Sequence, residues 1–182
     1  MSPLLFIIIF IAFSLAELWI VIRFILQKNR LYLQAVLTMF TAIFLYILSD
    51  LIFGIGVPRL VLLTVMVSIF AQAYFGYYKD LFMRSRVFDR YLHAFGTFSF
   101  ALFFYSLLDI IMNPSITPKL FISVFVFTLG MTVGVVFEII EFVLDKIKHT
   151  RMQKDLKDTD FDMVFDIIGS VCAAAVAYFF LA

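Results

Sequence analysis

Six apolar stretches, each close to the length of one membrane crossing, leave this chain few ways to fold. They run from Pro3 to Leu26, Leu31 to Phe53, Val57 to Tyr78, Tyr91 to Met112, Lys119 to Val143 and Met163 to Ala182. A helix rises about 1.5 Å per residue and the hydrocarbon core of a bilayer is about 30 Å thick, so roughly 20 mostly apolar residues make one crossing. Within lipid only a helix or a closed barrel satisfies every backbone N–H and C=O, and continuous apolar runs of this length read as helices. Composition removes the soluble alternative. The chain is 64% hydrophobic and 15% charged, against about 45–50% and about 25% in soluble domains. The expected fold is all-α, a polytopic transmembrane helix bundle of about six spans, forming a single domain over residues 1–182. Short connections leave no room for a separate soluble domain.

Local signals agree with these segments. Pro3, Pro58 and Pro118 stand at or near helix starts, where a missing amide proton costs little, and Asn113, Pro114 and Pro118 bracket a turn. The first ten residues, MSPLLFIIIF, carry no base ahead of an apolar run longer than a signal-peptide core, so the expectation is a retained span. The single cysteine, Cys172, cannot form an internal disulfide. A net charge of +1 gives no electrostatic footprint for nucleic acid.

Orientation follows from the basic residues. Arg23, Lys28 and Arg30 border the first connection, Lys79, Arg84, Arg86 and Arg90 the third, and Lys146, Lys148, Arg151, Lys154 and Lys157 the fifth. Only Arg59 and Lys119 fall on the opposite side. The positive-inside rule then places the odd-numbered connections in the cytoplasm and both termini outside. Tyr77, Tyr78 and Tyr91 fall where an interfacial aromatic belt is expected.

In the fifth span, GMTVG puts Gly130 and Gly134 on one helix face, a spacing that lets two helix backbones approach closely in lipid. The 25 phenylalanines are spread over all spans and read as packing and lipid-facing residues.

The stretch from Glu138 to Asp166 departs from this pattern. Glu138, Glu141 and Asp145 lie three and four apart, on one face at the end of the fifth helix. Asp155, Asp158, Asp162 and Asp166 form a second stripe if the sixth helix begins early. A third set comes from VFDRYLH, with Asp89 and His93 four apart and Arg90 between them. Topology brings the three sets to one bilayer face. Crowded carboxylates in a low-dielectric place cannot all be ionised without protons or cations to offset them. Many carboxylate oxygens, one imidazole and no nearby thiolate suit a hard ion such as Mg²⁺ or Mn²⁺. Arg90 beside such an ion suits phosphate oxygens. The candidate metal ligands are Asp89, His93, Glu138, Glu141, Asp155, Asp158 and Asp162, and the candidate catalytic residues are His93, Glu138 and Arg90.

Each of these residues also has an ordinary reading. Thr159 to Asp162 resembles a capping box, which would account for Thr159 and Asp162 through the helix dipole. Asp155, Asp158 and Asp160 alternate with lysines as a solvated charge run would, and Asp160 reads as a bystander. His93 could be a satisfied interfacial histidine. Glu138, deepest in the apolar run, is hardest to explain without function. Glu17 in the first span could join the cluster or pair with Arg23, and Asp50 and Asp109 read as interfacial. There is no HExxH, glycine-rich phosphate loop, CxxC or usable Ser-His-Asp arrangement.

At FDRYLHAFG (88–96), FEIIEF (137–142) and QKDLKDTDFDM (153–163) the chain resembles the YjdF-like family of bacterial inner-membrane proteins. The resemblance covers the second half of the chain and implies a multi-pass protein of the bacterial cytoplasmic membrane. It carries Asp89, Arg90, His93, Glu138, Glu141, Gln153, Asp155, Asp158, Thr159 and Asp162 into the family pattern. Asp145 and Asp166 are not part of that pattern. It implies a membrane site and no particular substrate.

Three functions are open on this reading. The first is a divalent-metal-dependent enzyme at the cytoplasmic membrane face, acting on a lipid headgroup or another phosphate-bearing substrate. The second is a cation or proton-coupled transporter, and the third a structural membrane subunit whose polar cluster locks helices together.

Overall fold

A computed structural model describes residues 1–114, 118–148, 150 and 152–181. Arg151, counted above among the connection's cations, and Ala182, the expected end of the sixth span, lie outside the described residues. Among those described there is no strand, and six helices are long and apolar enough to cross a membrane. Two compact units are formed, Met1–Leu81 and Phe82–Ala182.

The first unit holds α1 (Pro3–Leu26), α2 (Arg30–Phe53) and α3 (Arg59–Phe70), the last continuing through wider π-helical turns over Ala71–Tyr78. Ser2 caps α1, its hydroxyl accepting from the Leu5 amide, and Pro3 takes the first helical position. Asn29 caps α2 in the same manner. Gly54 ends α2 at φ 64°, a left-handed conformation that a side chain would strain. Arg23 lies over the rings of Trp19 and Tyr78, 5.9 and 5.8 Å from their centroids. It is therefore not the partner of Glu17, which is fully buried and has no hydrogen-bond partner on either carboxylate oxygen among the described residues.

The second unit opens with the short α4 (Leu81–Arg84 straddles the boundary) and contains α5 (Arg86–Met112), α6 (Lys119–Lys148) and α7 (Leu156–Val176), which runs on through π-helical turns over Ala177–Leu181. The three long helices pack pairwise. Small residues decide how closely. A Cβ on Gly130 would overlap Ser170, and one on Gly134 would overlap the Asp166 carboxylate, so both glycines of GMTVG face α7. A Cβ on Gly169 would meet the Ala94 carbonyl and the Thr97 hydroxyl, which sets the α5–α7 approach. Helix packing was the expected role of Gly130 and Gly134, and their neighbours identify the partner helix.

Several hydroxyls inside the spans bond to carbonyls of their own helices, which satisfies them in low-dielectric surroundings. Thr97 donates to the His93 carbonyl, Ser99 to Phe95, Ser106 to Leu102 and Ser170 to Asp166. Large apolar side chains stand exposed along the outer faces of α6 and α7, among them Leu120, Ile139, Ile147 and Val171. That surface suits lipid and not water.

Three boundaries differ from the sequence expectation by five residues or more, one of them the end of α6, at Lys148 and not Val143. The fourth span starts at Arg86, five residues earlier than expected, because Ser85 accepts from the Phe88 amide and caps α5 there. The sixth starts at Leu156, because Asp155 is the N-cap and accepts from the Asp158 amide at 2.9 Å. Thr159 is thus already inside the helix, and the capping box expected at Thr159 to Asp162 is not formed.

Candidate functional site

The early start of α7 puts Asp158, Asp162 and Asp166 on one buried stripe facing α5 and α6. From α5 come Asp89 and His93, one turn apart and both buried, and from α6 come Glu138, buried, and Glu141, half-buried. Six carboxylates from three helices therefore gather in one cluster with a single imidazole.

His93 organises the centre. Its Nδ1 lies 3.1 Å from Asp166 Oδ1, within hydrogen-bond distance. The other nitrogen, Nε2, faces Glu138 Oε1 and Glu141 Oε1, each at 3.9 Å. That separation is too long for a hydrogen bond. An imidazole fixed through one nitrogen by a carboxylate, with the other nitrogen directed at further acids, is the usual arrangement of a metal-ligating histidine. Gly134 makes it attainable here, since its missing side chain is the space in which the Asp166 carboxylate sits.

Three overlapping donor sets result. Asp89, His93 and Glu141, then His93, Glu138 and Asp162, and then Asp89, Asp158 and Asp162 each offer ligand atoms within 4.8 Å of one another. At that distance two ionised carboxylates repel by roughly 3–4 kcal/mol at an effective dielectric of about 20. Several such pairs cannot coexist fully ionised without added positive charge. Among the described residues, the lysine or arginine that bonds to the cluster's acids is Lys154, whose Nζ lies 2.8 Å from Asp89 Oδ2 and 3.1 Å from Asp158 Oδ2. Burial alone would lower the Lys154 pKa, but the hydrogen bonds and charges of Asp89 and Asp158 outweigh it and hold the ammonium above its ordinary value. Four buried oxygens still lack a hydrogen-bond partner among the described residues: Glu138 Oε1, Asp158 Oδ1, Asp162 Oδ1 and Asp166 Oδ2.

The connection between α6 and α7 is tied down around the cluster. Asp145 accepts from the amides of Met152 and Gln153, at 2.8 and 3.0 Å, and from the Thr150 hydroxyl. Gln153 Nε2 donates to Glu138 Oε2 at 2.8 Å and to the Glu138 carbonyl at 3.1 Å.

The cluster thus takes in Asp89, His93, Glu138, Glu141, Asp158 and Asp162 of the expected ligands. Asp155 stays outside, half-exposed, capping α7 and pairing with Arg86 at 3.1 Å. Arg90 makes no ion pair with these acids; its guanidinium lies 4.1 Å over Phe161, with Nε buried and lacking a hydrogen-bond partner. Asp160 is exposed, as a bystander should be. Asp166 joins the site and Asp145 braces the connection, two of the acids whose membership the sequence left open. Lys154 and Gly134 were not singled out for the centre, and Gln153 only through the family pattern. The signal for Lys154 was its position four residues before Asp158, and for Gly134 its place one turn before Glu138.

On the outer side of α6 an apolar groove of about 240 Å³ is lined by Val135, Glu138, Ile139, Phe142, Gln153 and Met163. Its polar end is Glu138, the same residue that faces His93.

Comparisons with known proteins agree with a membrane protein. The model of a family described as predicted membrane protein (DUF2238) matches residues 4–182. An uncharacterized protein of Thermotoga maritima is 31% identical over 124 residues, covering 67% of this chain. The chain spans 64% of that relative's length. No solved structure matches.

Proposed function

The chain belongs to the DUF2238 family of predicted membrane proteins, in agreement with the YjdF-like resemblance of its motifs, and for this integral membrane protein we propose a divalent-metal-dependent enzyme acting on a phosphate-bearing lipid headgroup. The observation that carries the reading is His93, held by Asp166 through Nδ1 while Nε2 faces Glu138 and Glu141 without a hydrogen bond. His93, Glu138 and Asp162 would hold Mg²⁺ or Mn²⁺, and the metal would polarise a phosphoryl oxygen. Glu141, less buried and close to Nε2, is the base that would accept a proton from an attacking water. Arg90, whose fork is not committed to a carboxylate, is the group for an anionic headgroup. The apolar groove ending at Glu138 supports a lipid as substrate, because it gives an acyl chain a place on the lipid-facing side. The Lys and Arg distribution favours the cytoplasmic face of a bacterial membrane.

A cation or proton relay would need polar groups continuing across the span. Thr128 and Thr132 bond to carbonyls of their own helix and Ser123 to the Ala174 carbonyl, which gives that alternative no support.

The test is headgroup or phosphate release from defined phospholipid vesicles, with and without a chelator. Release that stops with chelator and returns with Mg²⁺ or Mn²⁺, and is lost in Glu138→Gln, is expected. Turnover unaffected by chelation would overturn the metal role.

A further inference from the structure

We propose that Lys154 is a tethered cation standing in the second of two adjoining metal positions, so that a second divalent ion binds only when the lysine side chain leaves. The inference rests on the metal reading above and concerns how many ions the centre takes.

Two of the donor sets are separable halves. His93, Glu138 and Asp162 form one, Asp89, Asp158 and Asp162 the other, and Asp162 belongs to both. A shared carboxylate between two donor sets is what a two-ion centre requires. The halves differ in one respect. Lys154 contacts Asp89 and Asp158, the two members that are not shared, at 2.8 and 3.1 Å. In the His93 half no lysine or arginine bonds to Glu138 or Asp162 among the described residues.

The ammonium does not satisfy its half. With Lys154 seated, Asp158 Oδ1 and Asp162 Oδ1 remain buried without a hydrogen-bond partner; the two residues are 1% and 3% exposed. A monovalent group with three directional donors meets two oxygens there, where a divalent ion could draw on all three carboxylates. The exchange would also add a net positive charge to a cluster short of it.

The surroundings allow the side chain to move without the backbone. On one side Gln153 is anchored to Glu138 and its amide to Asp145, and on the other Asp155 caps α7. Between these fixed points only the four-carbon stem of Lys154 needs to swing outward, and its side chain already has 16% exposure. Its sequence neighbours Gln153 and Asp155 are committed to holding the connection, so the lysine side chain is the one whose departure leaves those bonds in place.

Purified full-length protein in nanodiscs, titrated with Mn²⁺ and read by equilibrium dialysis and electron paramagnetic resonance, tests this. Wild type is expected to bind one tight ion with an uncoupled spectrum, and Lys154→Met two ions with a spin-coupled one. Lys154→Arg, which keeps a tethered cation, is expected to stay at one. The second ion's affinity should rise at least roughly tenfold on loss of the lysine charge. One ion in both wild type and Lys154→Met would overturn the inference while leaving the metal centre intact, as would two tight ions in wild type. No ion in any form would remove the metal reading and this inference with it. Should Lys154→Met fail to fold, acylation of Lys154 in wild type decides the matter: labelling that rises at high Mn²⁺ supports displacement, and labelling that does not change overturns it.

Discussion

The Asp166 carboxylate occupies the space that a β-carbon on Gly134 would fill, and the same carboxylate holds the Nδ1 of His93 at 3.1 Å. Helix packing and site chemistry are therefore one arrangement. Gly134→Ala must push Asp166 from its place or separate α6 from α7. Overpacking of this kind costs about 1–3 kcal/mol, and because the displaced group orients His93, Mn²⁺ affinity should fall as well. Gly130→Ala meets Ser170 and not the cluster; it should lower the Tm with little effect on Mn²⁺ affinity. Thermal melts beside Mn²⁺ titrations of the two variants check the contrast.

Asp166→Asn keeps the size of the side chain and removes its charge. Partners that orient a metal-binding histidine typically contribute about 10- to 100-fold in metal affinity. A loss in that range is expected, with a fold intact by circular dichroism, and isothermal titration measures it.

Asp155 provides the opposite case. As the N-cap of α7 it accepts from the Asp158 amide, and its pairing with Arg86 is solvent-exposed. Asp155→Ala should cost about 1 kcal/mol through the lost cap, with a small further effect from the exposed ion pair. Metal affinity should stay close to wild type, since Asp155 belongs to none of the donor sets.

Gln153→Ala removes both side-chain bonds to Glu138. It frees Oε2 of Glu138 and opens the polar end of the apolar groove. The expected outcome is retained metal binding with a changed preference among lipids of different acyl length, measured by the lipids that co-purify.

The helices were legible because a spanning segment must be long and apolar, and no soluble arrangement tolerates six of them. Their ends were less so. Ser85 and Asp155 cap their helices through single side-chain bonds, and the five charged residues around Asp155 hide a helix start within a polar run. The acids were visible as a site because three-and-four spacing put them on common faces. What spacing could not reveal is which acid meets which partner. Asp145 and Asp166 stand in equivalent places on their stripes, yet one braces a connection and the other fixes an imidazole. That division depends on the depth at which α6 and α7 cross, set by Gly130 and Gly134. Lys154 looked like one more surface base, since nothing local distinguishes a lysine that turns inward.

The proposed function stands on His93 and the acids around it holding a divalent metal. The most direct measurement is the metal content of the purified protein, by mass spectrometry after dialysis against Mg²⁺ and Mn²⁺, for wild type and His93→Gln. At least one divalent ion per wild-type chain, lost in the variant while its helical content is unchanged, is the predicted result. Wild-type protein that retains no ion, or a variant that binds as well as wild type, would contradict it.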